Sequence, residues 1–223
     1  MPGPIVVAFD GTSAAEHALL WAAATAVRRG ADLVIAATTW WPVTLEPASA
    51  GVRLVSVTCV DHAVERVTAQ WPGLRVSGLE SGGAGELLAC AAELDASLLV
   101  LAADTRIPWR ALVYGADRPL ALVGTVAGPV VLEVRARQIR RDALALAFDL
   151  ARATGTGLHL LHTAVVWHCA RAADLAGFVV AELAGWLASY PEVAITYQFA
   201  IAPRSRALNR GVRTANVLIP ARR

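Results

Sequence analysis

The sequence predicts an α/β protein: a parallel sheet with helices on both faces, and this arrangement present twice. Three observations predict it, namely short runs of apolar residues, Ala- and Leu-rich helical segments between them, and an internal repeat. Apolar runs without polar alternation, such as Ile5 to Phe9, are typical of strands buried on both faces of a parallel sheet. Strands that alternate with helices at this spacing indicate βαβ units.

The first strand and helix are the clearest elements. The strand from Ile5 to Phe9 ends at a polar turn, and Ser13 followed by Glu16 has the spacing of a capping box. A helix is therefore predicted from Ala14 until Gly30 stops it. The next predicted elements are a strand from Leu33 to Thr38, a helix from Leu54 to Gln70, a strand from Leu74 to Leu79, a helix from Ala84 to Leu94 and a strand from Ser97 to Leu101.

The chain also aligns with itself. A shift of 125 residues pairs 3–38 with 128–163 without a gap, and a shift of 119 pairs Trp71-Pro72 with Tyr190-Pro191 and 98–100 with 217–219. A shared composition does not keep strands, helices and turns in one register over this distance, so we expect a duplication with a shortened middle loop. The predicted copies are residues 1–135 and a truncated second copy, 136–223.

One segment fits both copies. Val130 to Val134 is either the fifth strand of the first copy or the first strand of the second. We favour the fifth strand, because Asp117 to Val126 is predicted to form the preceding helix with Pro119 in its first turn.

Composition excludes several classes of function. All 20 cationic side chains are Arg, so chemistry that uses a P-loop lysine or a Schiff-base lysine is excluded. Residues 136–223 are basic, with 11 Arg against 5 Asp and Glu, but these arginines are scattered and no aromatic ladder lies between them. Nucleic acid is therefore not an expected partner.

Other segments bear on location and metal binding. No apolar stretch reaches the roughly 18 residues of a membrane span, and the N-terminus lacks the pattern of a secretory signal. We expect a cytoplasmic protein with no membrane partner. The three cysteines form no CxxC, and His159 and His162 are predicted on opposite faces of a strand, so no metal site is expected.

An ordered set of motifs resembles the universal stress protein family. It comprises the opening from Ile5 through Asp10-Gly11-Thr12, the Ala-rich helix up to Gly30, Trp71-Pro72-Gly73 before the third strand, and Gly128-Pro129-Val130-Val131. The resemblance covers nearly the whole chain and is fainter in the second copy. It implies a Rossmann-like fold, duplicated, and a regulatory or binding role in the stress response.

The resemblance also implies where a nucleotide would bind. Relatives that bind ATP follow the fourth strand with Gly-x2-Gly-x9-Gly-Ser/Thr, whose backbone N–H groups approach the phosphates. Here that spacing falls on Ala102, Thr105, Gly115 and Ala116, so one of three glycines remains. We expect no cofactor, with ATP as the alternative. The candidate nucleotide-contacting residues are Asp10, Gly11, Thr12, Thr38, Ala102, Arg106, Gly115 and Ala116.

Asp10 has two interpretations. It matches the family's acidic residue at the end of the first strand, where the ligand crevice of an open α/β sheet lies. It is equally suited to a turn in which its side chain bonds the backbone of Gly11 and Thr12. In the second copy Arg135 stands at this position, so nucleotide binding of the family's kind is not expected there.

Three functions remain. The first is a stress-associated module that acts by protein contacts, with Trp40, Trp41 and Trp109 at loop positions, and with another protein or a second copy of the chain as partner. The second is a nucleotide sensor that uses Asp10 with Arg106 or Arg110. The third, an enzyme, is the least supported, because no nucleophile, base and orienting group occur together and no catalytic residue is predicted.

Overall fold

The computed structural model describes residues 2–38, 50–104, 109–135, 139–164 and 172–221. The chain forms two compact units, Met1–Val123 and Gly124–Arg223. Each unit is an α/β layer with a parallel sheet, as predicted.

The first unit contains five strands in the order β3-β2-β1-β4-β5. All their pairings are parallel. With right-handed crossovers this order places α1 and α2 on one face of the sheet and α3 and α4 on the other. Its elements are β1 Ile5–Phe9, α1 Ser13–Arg29, β2 Leu33–Thr38, α2 Ala50–Gln70, β3 Val76–Ser81, α3 Ala84–Glu93, β4 Leu98–Ala102, α4 Trp109–Gly115 and β5 Leu120–Val123.

The apolar runs of the first half of the sequence form the buried core of the first unit. Every residue of β1, β2 and β4 is buried, which requires helices on both faces of these strands. Helix α1 presents small residues to the sheet, including Ala18 and Ala22, which are fully buried. Helix α1 ends at Gly30, whose φ of 59° is the left-handed conformation that glycine adopts without strain.

The second unit contains four parallel strands in the order β9-β6-β7-β8. Its central strand, β6, pairs with β7 on one side and β9 on the other. An aromatic stack of Phe148, Trp186 and Tyr190 joins α5 to α6, with ring centroids 5.0 to 6.1 Å apart. Its elements are β6 Val130–Arg135, α5 Arg141–Thr154, β7 Leu158–Ala164, α6 Ala172–Ser189, β8 Ile195–Ile201, α7 Arg204–Thr214 and β9 Val217–Ile219.

The strand registers of the two units follow the shifts found in the sequence. Ile5 pairs with Leu33 in the first unit, and Val130 pairs with Leu158, each 125 residues later, in the second. Ile5 also pairs with Leu98, and Val130 pairs with Val217, which follows Leu98 by 119 residues. The predicted duplication therefore holds at the level of individual strand pairs.

Glycines at equivalent positions of the two units pack closely against the backbone. A Cβ on Gly3 would lie 2.1 Å from the carbonyl oxygen of Asp95, and a Cβ on Gly128 would lie 2.2 Å from that of Thr214. Such distances are far inside van der Waals contact, so neither position has room for a side chain. Gly155 ends α5 with a φ of 63°, as Gly30 ends α1. These shared details are those of two copies of one unit.

The structure corrects the expected assignment of Val130 to Val134. This segment lies in the second unit as its first strand, because β6 has a parallel neighbour on each side and five of its six residues are buried. The fifth strand of the first unit is Leu120–Val123. The predicted helix from Asp117 to Val126 is therefore wrong. Along the chain, the division into compact units falls between Val123 and Gly124, and the boundary predicted from the sequence lies after Arg135.

Candidate functional site

Asp10 follows β1 at the carboxyl edge of the first sheet, where it forms a local turn. Its Oδ1 accepts hydrogen bonds from the Thr12 backbone N–H at 3.1 Å and the Thr12 hydroxyl at 2.6 Å. Gly11, with a φ of 73°, makes this turn possible. Thr12 in turn caps α1, because its Oγ1 accepts from the Ala15 N–H at 3.2 Å. These contacts are those of the turn interpretation of Asp10.

Two further candidates lie at the same edge, and both are buried. Thr38 ends β2, is 6% exposed, and its hydroxyl donates to the Phe9 carbonyl at 3.4 Å. Ala102 ends β4 and is 1% exposed. The N–H of the following residue, Ala103, donates to the Val123 carbonyl at 2.8 Å, so it serves the sheet. The structure thus brings Asp10, Thr38 and Ala102 to one edge.

Gly115 and Ala116 lie at the opposite edge of the first sheet. Helix α4 runs from the carboxyl end of β4 back towards the amino end of β5, and Gly115 is its last residue. The Ala116 N–H donates to the Leu112 carbonyl at 2.8 Å, and a cavity of about 180 Å³ beside both residues is also lined by Leu88 and Leu99. Ala102 and Gly115, the described first and third glycine positions of the Gly-x2-Gly-x9-Gly spacing, therefore lie at opposite edges of the sheet.

Most of the remaining candidates have no described position. Thr105, Arg106, Ile107 and Pro108, like Trp40 and Trp41, lie outside the described residues. Arg110, in the first turn of α4, is described, and its guanidinium carbon lies 5.6 Å from the centre of the Trp109 ring. Trp109 is half-buried. The Arg110 guanidinium therefore makes a cation–π contact with a ring of the same chain.

The corresponding edge of the second unit is filled by an ion pair that the sequence analysis missed. Glu133 in β6 is 3% exposed, and Arg204 at the start of α7 donates to both of its carboxylate oxygens, at 2.7 and 2.8 Å. The Thr163 hydroxyl and the Ala221 N–H add hydrogen bonds at 2.7 and 2.9 Å. Glu133 and Thr163 lie near the carboxyl ends of their strands, and Arg204 and Ala221 follow strands, so the carboxylate sits where a ligand crevice would open.

This cluster has only a partial counterpart in the first unit. Glu133 stands 125 residues after Ala8, and Thr163 stands 125 residues after Thr38. The threonine is therefore common to both units, whereas the carboxylate and its arginine belong to the second alone. The sequence contains one signal of this cluster, a single acidic residue inside an apolar strand. A charge buried in such a strand requires a partner, so this residue indicated that an ion pair or hydrogen bonds exist there.

Comparison with known proteins identifies the family. The sequence profile of the universal stress protein family matches residues 1–116, which is more than half of the 223-residue chain. The chain belongs to the universal stress protein family. No curated protein sequence matches it significantly.

Solved structures resemble its fold, two of them over most of its length. One, from Archaeoglobus fulgidus DSM 4304, is 12% identical with a TM-score of 0.58, covering 92% of this chain and 79% of its own. A protein of unknown function from Pseudomonas aeruginosa PAO1 is also 12% identical, with a TM-score of 0.60, covering 99% and 92%. A universal stress protein from Archaeoglobus fulgidus solved in complex with dAMP is 20% identical, with a TM-score of 0.46, covering 53% and 94%.

In the described part of this universal stress protein, no group of three or more His, Cys, Asp or Glu side chains is placed to hold a metal ion. No helix among the same residues has both the length and the apolar character needed to cross a membrane. His159 and His162 lie on opposite faces of β7, as the strand assignment predicted, and each ring contacts β8.

Proposed function

We propose that this universal stress protein is a regulatory binding protein of the stress response that acts through contacts with other proteins. On this proposal it does not hold adenine nucleotide in the way that the family's ATP-binding members do, and it has no catalytic activity of its own. The nucleotide sensor is the competing function.

The observation that carries the proposal is the separation of the candidate phosphate-binding residues. Asp10 lies at the carboxyl edge of the first sheet, and Gly115 and Ala116 lie at the amino edge. A nucleotide bound beside Asp10 would therefore place its phosphates away from these amides. The cavity beside Gly115, about 180 Å³, is also smaller than the 300 to 1,000 Å³ of typical small-molecule sites.

The second unit supports the same proposal. Its carboxyl edge holds the Glu133 carboxylate, which would repel a phosphate, and this carboxylate already accepts hydrogen bonds from Thr163, Arg204 and the Ala221 N–H. Arg204 would otherwise be well suited to a phosphate, but its guanidinium faces Glu133. Binding a nucleotide here would first require breaking a buried ion pair, which costs several kcal/mol.

Equilibrium dialysis with labelled ATP and Mg²⁺ tests the proposal. We expect no saturable binding at micromolar protein and nucleotide. The variant Asp10→Asn keeps an oxygen that accepts from Thr12 and removes the charge, and Asp61→Asn, on the exposed side of α2, is the matched control. Micromolar binding that Asp10→Asn abolishes and Asp61→Asn retains would establish the nucleotide sensor instead.

The protein-contact half of the proposal needs its own measurement. The full chain, tagged and expressed at native level, is recovered from stressed and from resting cells, and its complexes are sized before and after crosslinking. We expect a defined complex whose amount depends on stress. A chain that stays monomeric under both conditions would contradict this half of the proposal.

A further inference from the structure

A groove in the second unit lies between helix α7 and the strands β7 and β8. It has a volume of about 430 Å³, within the range of sites for small molecules. The groove belongs to the flank of the sheet beside α7, whereas the Glu133 cluster sits at the carboxyl edge. It is lined, among other residues, by His159, Leu161, Phe199, Arg206, Arg210 and Gly211.

The groove has an excess of positive charge. Arg206 and Arg210 are exposed, lie one helical turn apart on α7, and both line the groove. Among the described residues neither has an ion-pair partner, in contrast to Arg204, which is paired with Glu133. Helix α7 contains no acidic residue. Two uncompensated guanidinium groups beside a concavity favour an anion.

The floor of the groove is largely apolar. Leu161 and Ala207 are buried, and Ala200, which also lines the groove, is half-buried. Gly211 lets α7 approach the sheet closely, because a Cβ there would lie 2.7 Å from Leu218 Cδ1 and 3.4 Å from Leu161 Cδ2. An apolar floor with charges on one side suits a molecule that has an apolar body and an anionic group.

His159 adds polar groups at the other side of the groove. Its Nδ1 lies 2.7 Å from the Thr196 hydroxyl and its Nε2 lies 3.3 Å from Gln198 Oε1. These contacts hold the ring in place on β7. The groove therefore has a fixed polar wall opposite the two arginines, which are its only described cationic residues.

We propose that this groove binds a small organic anion, a carboxylate or phosphate group carried by an apolar or aromatic body. Arg206 and Arg210 bind the oxyanion by charge-assisted hydrogen bonds, and Leu161, Ala200 and Ala207 contact the body. The site does not depend on the proposed function, because it lies outside the residues considered for ATP. An acidic peptide is a different occupant, and the experiment separates it.

The probes are phenyl phosphate and benzoate, with phenol as the neutral control, added to the ¹⁵N-labelled full chain. We expect phenyl phosphate or benzoate to shift the amide signals of Gln198, Ala200 and Gly211, and phenol to shift them far less. The stronger of the two anions identifies the head group. Binding should weaken as salt is raised, because both arginines are exposed.

Variants of α7 provide the matched test. Arg206→Gln combined with Arg210→Gln should weaken binding about tenfold or more, because it removes two charged donors. Arg213→Gln is the control, since Arg213 lies exposed on the same helix but does not line the groove, and it should bind as the parent does. An unchanged circular dichroism spectrum shows that each variant is folded. We expect this result, because the three substituted side chains are exposed.

Several results would overturn the proposal. Equal losses in the double variant and in Arg213→Gln would mean that the anion responds to the general charge of α7. Equal shifts with phenol would mean that the arginines do not contribute. Shifts by a poly-glutamate peptide without shifts by either small anion would assign the surface to an acidic protein.

Discussion

Arg204 and Glu133 form a bidentate ion pair, Nε to Oε1 at 2.7 Å and Nη2 to Oε2 at 2.8 Å, inside the carboxyl edge of the second unit. The Arg204 side chain is 12% exposed and that of Glu133 is fully buried. The equivalent of Glu133 in the first unit is Ala8. One copy of a duplicated layer has thus acquired an internal ion pair at the edge where ligands of this fold class bind.

Removing one partner of this pair should destabilise the second unit strongly. We expect Glu133→Ala to lower the free energy of unfolding by about 3 to 5 kcal/mol, because Arg204 then keeps a buried charge without its carboxylate. The double variant Glu133→Met with Arg204→Met should recover most of that loss, since a matched apolar pair carries no desolvation cost. Urea denaturation measures both.

The control for this prediction is an exposed pair in the same unit. Arg140 and Asp142 are 3.1 Å apart, and their side chains are 54% and 42% exposed. Arg140→Ala should therefore cost at most about 1 kcal/mol. A cost for Glu133→Ala no larger than that of Arg140→Ala would contradict the structural role given to the buried pair.

The duplicated glycines should be equally intolerant of a side chain. We expect Gly3→Ala and Gly128→Ala each to cost about 1 to 3 kcal/mol, because a Cβ at either position overlaps a backbone carbonyl. Gly73→Ala is the control, since no atom lies within 4 Å of a Cβ there. Thermal unfolding compares the three, and a tolerated alanine at one of the two positions would show that they are not equivalent.

Stability of the second unit should depend on the protonation of His162. Burial lowers the pKa of His162 below its ordinary value, and the ring packs against Tyr197 and Phe199 with its Nδ1 3.0 Å from the Tyr197 hydroxyl. The unfolded chain, with a pKa of about 6.5, then binds the proton more readily than the folded chain. The free energy of unfolding should therefore fall as pH drops below about 7, and level off below the folded pKa.

Two variants isolate this histidine. His162→Phe removes the titrating group and should flatten the pH dependence, whereas His159→Gln, which changes the half-exposed ring on the opposite face of β7, should leave it unaltered. Urea denaturation between pH 5 and pH 8 gives the profiles. An identical slope in His162→Phe and the parent would assign the dependence to another group.

The turn at Asp10 should contribute to stability through Thr12. Thr12→Ala removes the oxygen that accepts from the Ala15 N–H, so we expect a loss of about 1 kcal/mol. Thr12→Ser keeps an equivalent oxygen and should cost much less. Thermal denaturation distinguishes them, and equal losses would mean that the cap does not stabilise α1.

The sequence predicted the fold where local pattern and tertiary structure agree. The apolar runs at Ile5, Leu33 and Leu98 became buried strands, and the self-alignment anticipated the strand registers of both units. It failed at Leu120 to Val123, where four apolar residues after Pro119 suit a helix or a strand equally well. Pairing with β4 decides between the two, and no local signal contains that contact.

The candidate site was harder to predict for a related reason. The spacing implied by the family resemblance made Gly115 a candidate phosphate-contacting residue. In the structure the described part of that segment forms α4, which ends with Gly115 at the amino edge of the sheet. The buried pair of Glu133 and Arg204 joins residues 71 positions apart. A lone acid in an apolar strand indicates that a partner exists, but it does not say which arginine that is.

The amide spectrum of the ¹⁵N-labelled chain, recorded as Mg²⁺-ATP is added, tests the central claim most directly. We predict that the signals of Ala103, Gly115 and Ala116 stay in place at ATP concentrations that saturate the family's ATP-binding members. Joint, saturable shifts of Ala103 at one edge of the first sheet and of Gly115 and Ala116 at the other would contradict it, because one nucleotide would then contact residues that the structure separates.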